Sequence, residues 1–118
     1  MDIKEVLETY PHDIEGYETL IMSQKECIEK MKEQSKLIKE NTLIAVETDA
    51  LKDENKQFLS NKQKREIETE NRLEKNKEYQ KLQKELKKLE KDYIRNQIGL
   101  SKQKRVFRAA VALTRLSE

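Results

Sequence analysis

Residues 79–93 read YQKLQKELKKLEKDY, and their apolar members Tyr79, Leu82, Leu86, Leu89 and Tyr93 recur at alternating steps of three and four. That is the seven-residue repeat of one narrow helical stripe, and such a stripe needs another helix to cover it. The repeat continues through Leu100, Phe107 and Ala110, and an earlier one runs through Ile14, Tyr17, Ile21, Ile28, Met31, Ile38 and Ala45. Two long stripes with one interruption predict an all-α fold. The expected form is a long antiparallel helical hairpin, coiled-coil-like, with a short N-terminal helix and an oligomeric state.

Composition agrees. With 118 residues, 41% of them charged and 35% apolar, the chain cannot enclose a large globular core, so a single elongated domain over residues 1–118 is expected. Two glycines, one proline and no tryptophan suit long helices. A disordered chain of equal polarity lacks a sustained apolar period, and this one keeps it. The longest apolar runs, Leu43 to Val46 and Ala109 to Leu113, fall far short of the roughly 18 residues of a membrane-spanning helix. The opening MDIKE carries no basic start with an apolar run, so a cytoplasmic location is expected. The lone Cys27 has no partner for an internal disulfide and reads as a small packing residue beside Ile28.

Local signals set the expected boundaries. Residues 2–10 form a short helix with Asp2 as its cap, and Pro11 ends it. A second helix covers residues 12–47, with Asp13, Glu15 and Glu18 at its positive dipole end. Its stripe includes polar Gln24, Ser35 and Thr42, which set register against a partner. Residues 48–60 are a hinge containing turn-favouring Asp53 and Asn55 and the apolar Phe58 and Leu59. Ser60 with Gln63 reads as a capping box that opens a long helix over residues 61–116, interrupted only by Gly99, which marks a bend or a close approach. At the standard rise, about 34 residues span roughly 50 Å and about 56 span roughly 85 Å, so the shorter helix reaches only to about residue 95. The remainder then needs cover from residues 2–10 folding over part of it, from another chain, or from both. A homodimer or higher oligomer through residues 96–116 is expected, with Leu86, Leu89, Tyr93, Leu100, Phe107 and Leu113 at its interface.

Charge is separated along the chain. Residues 1–60 hold 8 bases against 14 acids, residues 61–92 hold 11 against 8, and residues 93–118 hold 6 against 1. Catalysis has little to work with: His12 is the only histidine, and no phosphate-binding glycine loop is present. No enzymatic activity, cofactor, metal or small-molecule substrate is expected. Asp49, Asp53 and Glu54 lack the spacing and the central glycine of a calcium loop. The basic block from Ser101 to Leu116 carries functional character. Lys102, Lys104, Arg105, Arg108 and Arg115 lie on one broad side of a helix, the arrangement that neutralises phosphates without reading sequence. A membrane surface fits less well, since the block has no tryptophan and a modest apolar face. DNA, or a protein bound to it, is the partner this block suggests. Two alternatives stand beside it: an adaptor or inhibitor that binds a host nuclease, polymerase or defence protein through Glu26, Glu29, Glu33 and Glu40, and a scaffold that assembles only with itself.

Tyr10-Pro11 before Ile14-Glu15, the run from Lys52 to Asn55 followed by Phe58 to Asn61, then Asn71-Arg72-Leu73, Tyr79-Gln80 and the closing Val106 to Ala110 stand in an order that spans nearly the whole chain. That order resembles small helical proteins encoded by bacteriophages and integrated prophages of Gram-positive bacteria. Many of those proteins carry a glycine after the hinge asparagine, where this chain has Lys56. The resemblance implies an accessory role in phage DNA replication or recombination, in the host cell cytoplasm, with DNA, a host protein or a phage protein as partner.

Overall fold

A computed structural model describes residues 2–52 and 61–116, and among them the chain is all-α. Helix α1 spans Ile3–Lys52, α2 spans Lys62–Lys75 and α3 spans Lys77–Leu116. Contacts divide the chain into two compact units, one formed by Met1–Ile28 with Lys88–Glu118 and the other by Glu29–Lys87. No helix among the described residues is long and apolar enough to cross a membrane.

In the first unit, the N-terminal arm of α1 lies antiparallel on the C-terminal part of α3. Polar side chains fix the direction: Glu18 faces Lys104 at 3.5 Å, and Gln24 accepts from Asn96 Nδ2 at 3.0 Å, so partners approach each other in sequence. Asp2 caps α1 as its sequence predicts, its carboxylate accepting from the Lys4 N–H at 3.3 Å. The expected break at Pro11 does not occur, and the 2–10 and 12–47 segments are one helix. A proline inside a helix removes one backbone hydrogen bond and crowds the preceding turn, at a cost of about 3 kcal/mol. Leu7, Tyr10, Ile14, Tyr17 and Ile21 keep the three-four spacing across it and are all partly buried, and Val6 is buried beside them. Covering several such side chains, at roughly 1.5–3 kcal/mol for each one fully buried, outweighs the local penalty.

That continuity removes the reason to expect an uncovered C-terminal segment. Ala110 is buried, and Leu100, Phe107 and Thr114 are partly buried within the same chain. Gly99 does not end α3. A Cβ built there would lie 3.2 Å from Tyr17 Oη and 3.3 Å from Tyr17 Cε1, so the glycine admits a side chain of α1 to the α3 backbone.

In the second unit, the C-terminal arm of α1 packs antiparallel against α2 and the start of α3. Gln83 donates to Ser35 Oγ, and Arg72 of α2 reaches Asp49 of α1 at 2.7 Å. Of the three polar stripe residues on α1, Gln24 and Ser35 thus fix register within the chain, while Thr42 donates back to the Ile38 carbonyl at 2.8 Å. The stripe ends on Val46, 0% exposed, instead of the expected Ala45, which faces solvent. Steps of four from Thr42 to Val46 to Ala50 bury the larger valine and locally relax the seven-residue period.

Two boundaries here differ from the sequence reading. Helix α1 continues through residues 48–52 of the expected hinge; Asp53, Asn55, Phe58, Leu59 and Ser60 lie outside the described residues. The cap of α2 is Asn61, with extended backbone angles φ −133° and ψ 165°, whose side-chain oxygen accepts from the Lys64 N–H at 2.8 Å. The expected unbroken helix over 61–116 is instead interrupted at Asn76. This one residue closes α2, donating its N–H to the Leu73 carbonyl at 3.2 Å, and opens α3, accepting from the Tyr79 N–H at 2.9 Å. Gln80 Nε2 donates to the same Leu73 carbonyl at 3.0 Å. The backbone N–H of Asn76 serves one helix end and its side-chain oxygen the other, which makes the break inexpensive.

Candidate nucleic-acid interface

Heptad packing decides which α3 side chains face water. Tyr93, Asn96, Leu100, Gln103, Phe107, Ala110 and Thr114 turn toward α1 in the first unit, which directs the intervening cations outward. Lys102, Arg105, Arg108 and Arg115 are exposed, and among the described residues they form no ion pair. Lys104 differs from its neighbours. It sits nearer the seam and pairs with Glu18, so it helps close the hairpin more than it enlarges the free basic surface.

Arg95 extends this face and was not singled out in the sequence. It lies seven residues before Lys102, and Lys91 and Lys88 sit at related positions about one and about two turns earlier. Arg95 is exposed, with Asp92 at 3.9 Å, a loose surface pair. The heptad spacing 88, 95, 102 carries this signal in the sequence, where Glu90 and Asp92 dilute the local positive charge. From Tyr93 to Leu116 the helix carries Arg95, Lys102, Lys104, Arg105, Arg108 and Arg115 and no Asp or Glu. The α1 arm of the same unit presents Glu5, Glu8, Glu15 and Glu26 to solvent. The unit is thus basic along one helix and acidic along the other.

The residues expected at an oligomer interface are distributed differently. Leu86 is 8% exposed, seated against α1 in the second unit. Leu89, Tyr93, Leu100 and Phe107 are partly buried by α1 in the first unit, and Leu113 alone keeps half its surface, 51%. Leu86, Leu89, Tyr93, Leu100 and Phe107 thus pack within the hairpin. Phe107, the one aromatic of the basic block, is committed to that packing and is poorly placed to stack on a base.

Among the described residues, neither unit brings together a convergent catalytic constellation. The first has a shallow groove lined by His12, Asp13, Gly16, Tyr17, Leu20 and Gln103; the second has an open, mostly apolar groove between Leu43, Leu73 and Tyr79. Lys39 stands over the Tyr79 ring at 5.9 Å from its centroid. No group of three His, Cys, Asp or Glu side chains able to hold a metal ion occurs among the described residues. Among the described residues, Arg72 is the ionisable group whose surroundings shift it from its ordinary value. Its hydrogen bond to Asp49, and then that to Glu68 at 2.9 Å, hold the guanidinium pKa above its ordinary value. That cluster ties α2 to α1 and is structural. Comparison with known proteins finds no matching family model, curated protein or solved structure.

Proposed function

We propose that this chain is a non-enzymatic helical accessory protein of phage DNA replication or recombination, and that the outer face of α3 contacts DNA phosphates. The observation that carries the reading is the acid-free basic stretch from Tyr93 to Leu116, with Lys102, Arg105, Arg108 and Arg115 exposed and without ion pairs among the described residues. From Arg95 to Arg115 the helix advances about 30 Å, long enough to follow several phosphates of a duplex. Contact of this kind is electrostatic and tolerant of sequence. The half-buried Phe107 argues further against base-specific recognition of single strands.

Fluorescence anisotropy with labelled double- and single-stranded DNA tests the reading. Four to five phosphate contacts give affinity that falls roughly two orders of magnitude between about 50 and 200 mM salt. A variant carrying Lys102→Glu, Arg105→Glu, Arg108→Glu and Arg115→Glu, which leaves the Lys104–Glu18 pair in place, is expected to lose that binding. Absence of binding by the wild-type chain at low salt refutes the proposal and directs attention to a protein partner.

A further inference from the structure

Helix α1 carries a second stripe that its own hairpin leaves open. In the second unit, Gln34, Leu37, Asn41, Ile44, Thr48 and Leu51 follow one another at steps of three and four, the same period as the buried seam. Three of them precede a seam residue by one position: Gln34 before Ser35, Leu37 before Ile38, Asn41 before Thr42. Such neighbours are displaced by about 100° around the helix. All six are exposed, with Leu37 at 57%, Ile44 at 60% and Leu51 at 90%. None is charged, although 41% of the chain is. A helix covered on one side only normally presents charge on its remaining faces. Two uncharged stripes about a quarter turn apart belong instead to a helix at the corner of a bundle, in contact with two neighbours.

We propose that this stripe is the contact of a parallel, in-register homodimer in which α1 of one copy packs on α1 of a second. The order of residues selects that occupant. Polar and apolar positions alternate strictly, so parallel register places Leu37 on Leu37, Ile44 on Ile44 and Leu51 on Leu51. It also places Asn41 on Asn41, where each amide both donates and accepts. An asparagine at such a core position is a recognised determinant of register in two-stranded coiled coils. An unrelated apolar helix leaves Gln34 and Asn41 without partners. Antiparallel pairing of the same stripe matches each Leu or Ile with Gln, Asn or Thr, because its layers combine the two alternating positions.

Charge supports the same orientation. Glu33, Glu40 and Glu47 each precede one of the polar stripe positions and form a carboxylate row along its edge. Antiparallel helices set these two rows against each other, at an electrostatic cost. In parallel register each row faces the opposite edge, where Glu47 falls five residues before Lys52 of the second copy, the usual spacing of an interhelical ion pair. The dimer leaves the basic face of α3 uninvolved, so it stands whether or not the chain binds DNA.

Site-directed crosslinking of the full chain in a Cys27→Ser background tests the proposal. Under mild oxidation, Asn41→Cys and Ile44→Cys are each expected to form covalent dimers, since core positions of a parallel pair lie within disulfide reach. Lys36→Cys, on the outer side of the helix, is expected to remain monomeric. Leu37→Glu with Ile44→Glu should convert a dimer seen by light scattering at micromolar concentration into a monomer of unchanged helical content, because both side chains face solvent within the hairpin. A wild-type monomer, equal crosslinking at Lys36→Cys, or a dimer that survives the double glutamate variant refutes the proposal. Crosslinking only in mixtures of Leu37→Cys with Thr48→Cys refutes the parallel orientation.

Discussion

The two glycines should respond in opposite ways to the same substitution. Alanine in a helix interior is favoured over glycine by about 1 kcal/mol, chiefly because glycine loses more backbone freedom on folding. At Gly16 a Cβ meets nothing within 4 Å, so Gly16→Ala should recover most of that amount. For a chain of this size about 1 kcal/mol corresponds to roughly 4 °C in Tm. At Gly99 the new Cβ lies 3.2 Å from Tyr17 Oη and 3.3 Å from both Cε1 and Cζ, so the ring must withdraw by a few tenths of an ångström from a partly buried site. Overpacking of that kind costs about 1–3 kcal/mol, enough to cancel the helical gain or reverse it. Replacing Tyr17 removes the obstruction, and in a Tyr17→Ala background Gly99→Ala should regain about 1 kcal/mol. Denaturant unfolding followed by far-UV circular dichroism, on the four chains of this cycle at one fixed protein concentration, gives the coupling directly. A Gly99→Ala gain equal to that at Gly16, or a cycle with no coupling, refutes the reasoning and with it the packing of Tyr17 on α3.

Pro11→Ala restores a backbone hydrogen bond in the third turn of α1 and should stabilise the first unit by up to about 3 kcal/mol; an unchanged Tm means that the helix does not run through this position in solution. Val46→Ala removes the most deeply buried side chain and should cost about 2 kcal/mol from lost burial and the cavity left behind, whereas Ala45→Ser at the neighbouring exposed position should change stability by less than about 0.5 kcal/mol. Similar losses for the two place the seam where the sequence reading put it. Arg72→Ala should cost roughly 0.5–1 kcal/mol, a modest figure because both Arg72 and Asp49 remain partly exposed. The raised guanidinium pKa means that its stabilisation is complete below the ordinary arginine value and is lost only in strong alkali. Salt, and not pH near neutrality, should therefore narrow the difference between Arg72→Ala and wild type, and a difference insensitive to salt counts against an electrostatic link.

The helical class, the antiparallel pairing and the identity of most seam residues were legible in the sequence because a seven-residue apolar period is a local property. Any stretch that shows it must find cover, whatever the rest of the chain does. The exposed cations were legible for the same reason, since Lys102, Arg105, Arg108 and Arg115 sit off the stripe. Tertiary structure decided the matters in which a local cost competes with distant burial. Pro11 reads as a helix end until packing of Val6, Tyr10 and Ile14 against α3 outweighs its penalty. That single outcome gives Leu100 and Phe107 cover within this chain. Asn76 looks like one more polar residue on a helix until its amide closes α2 and opens α3. Gly99 becomes interpretable only when Tyr17 lies across it, and Lys104 separates from the other cations only when Glu18 is opposite. Periodicity specifies which residues seek cover, while the partner that each one meets depends on the register of two segments far apart in sequence.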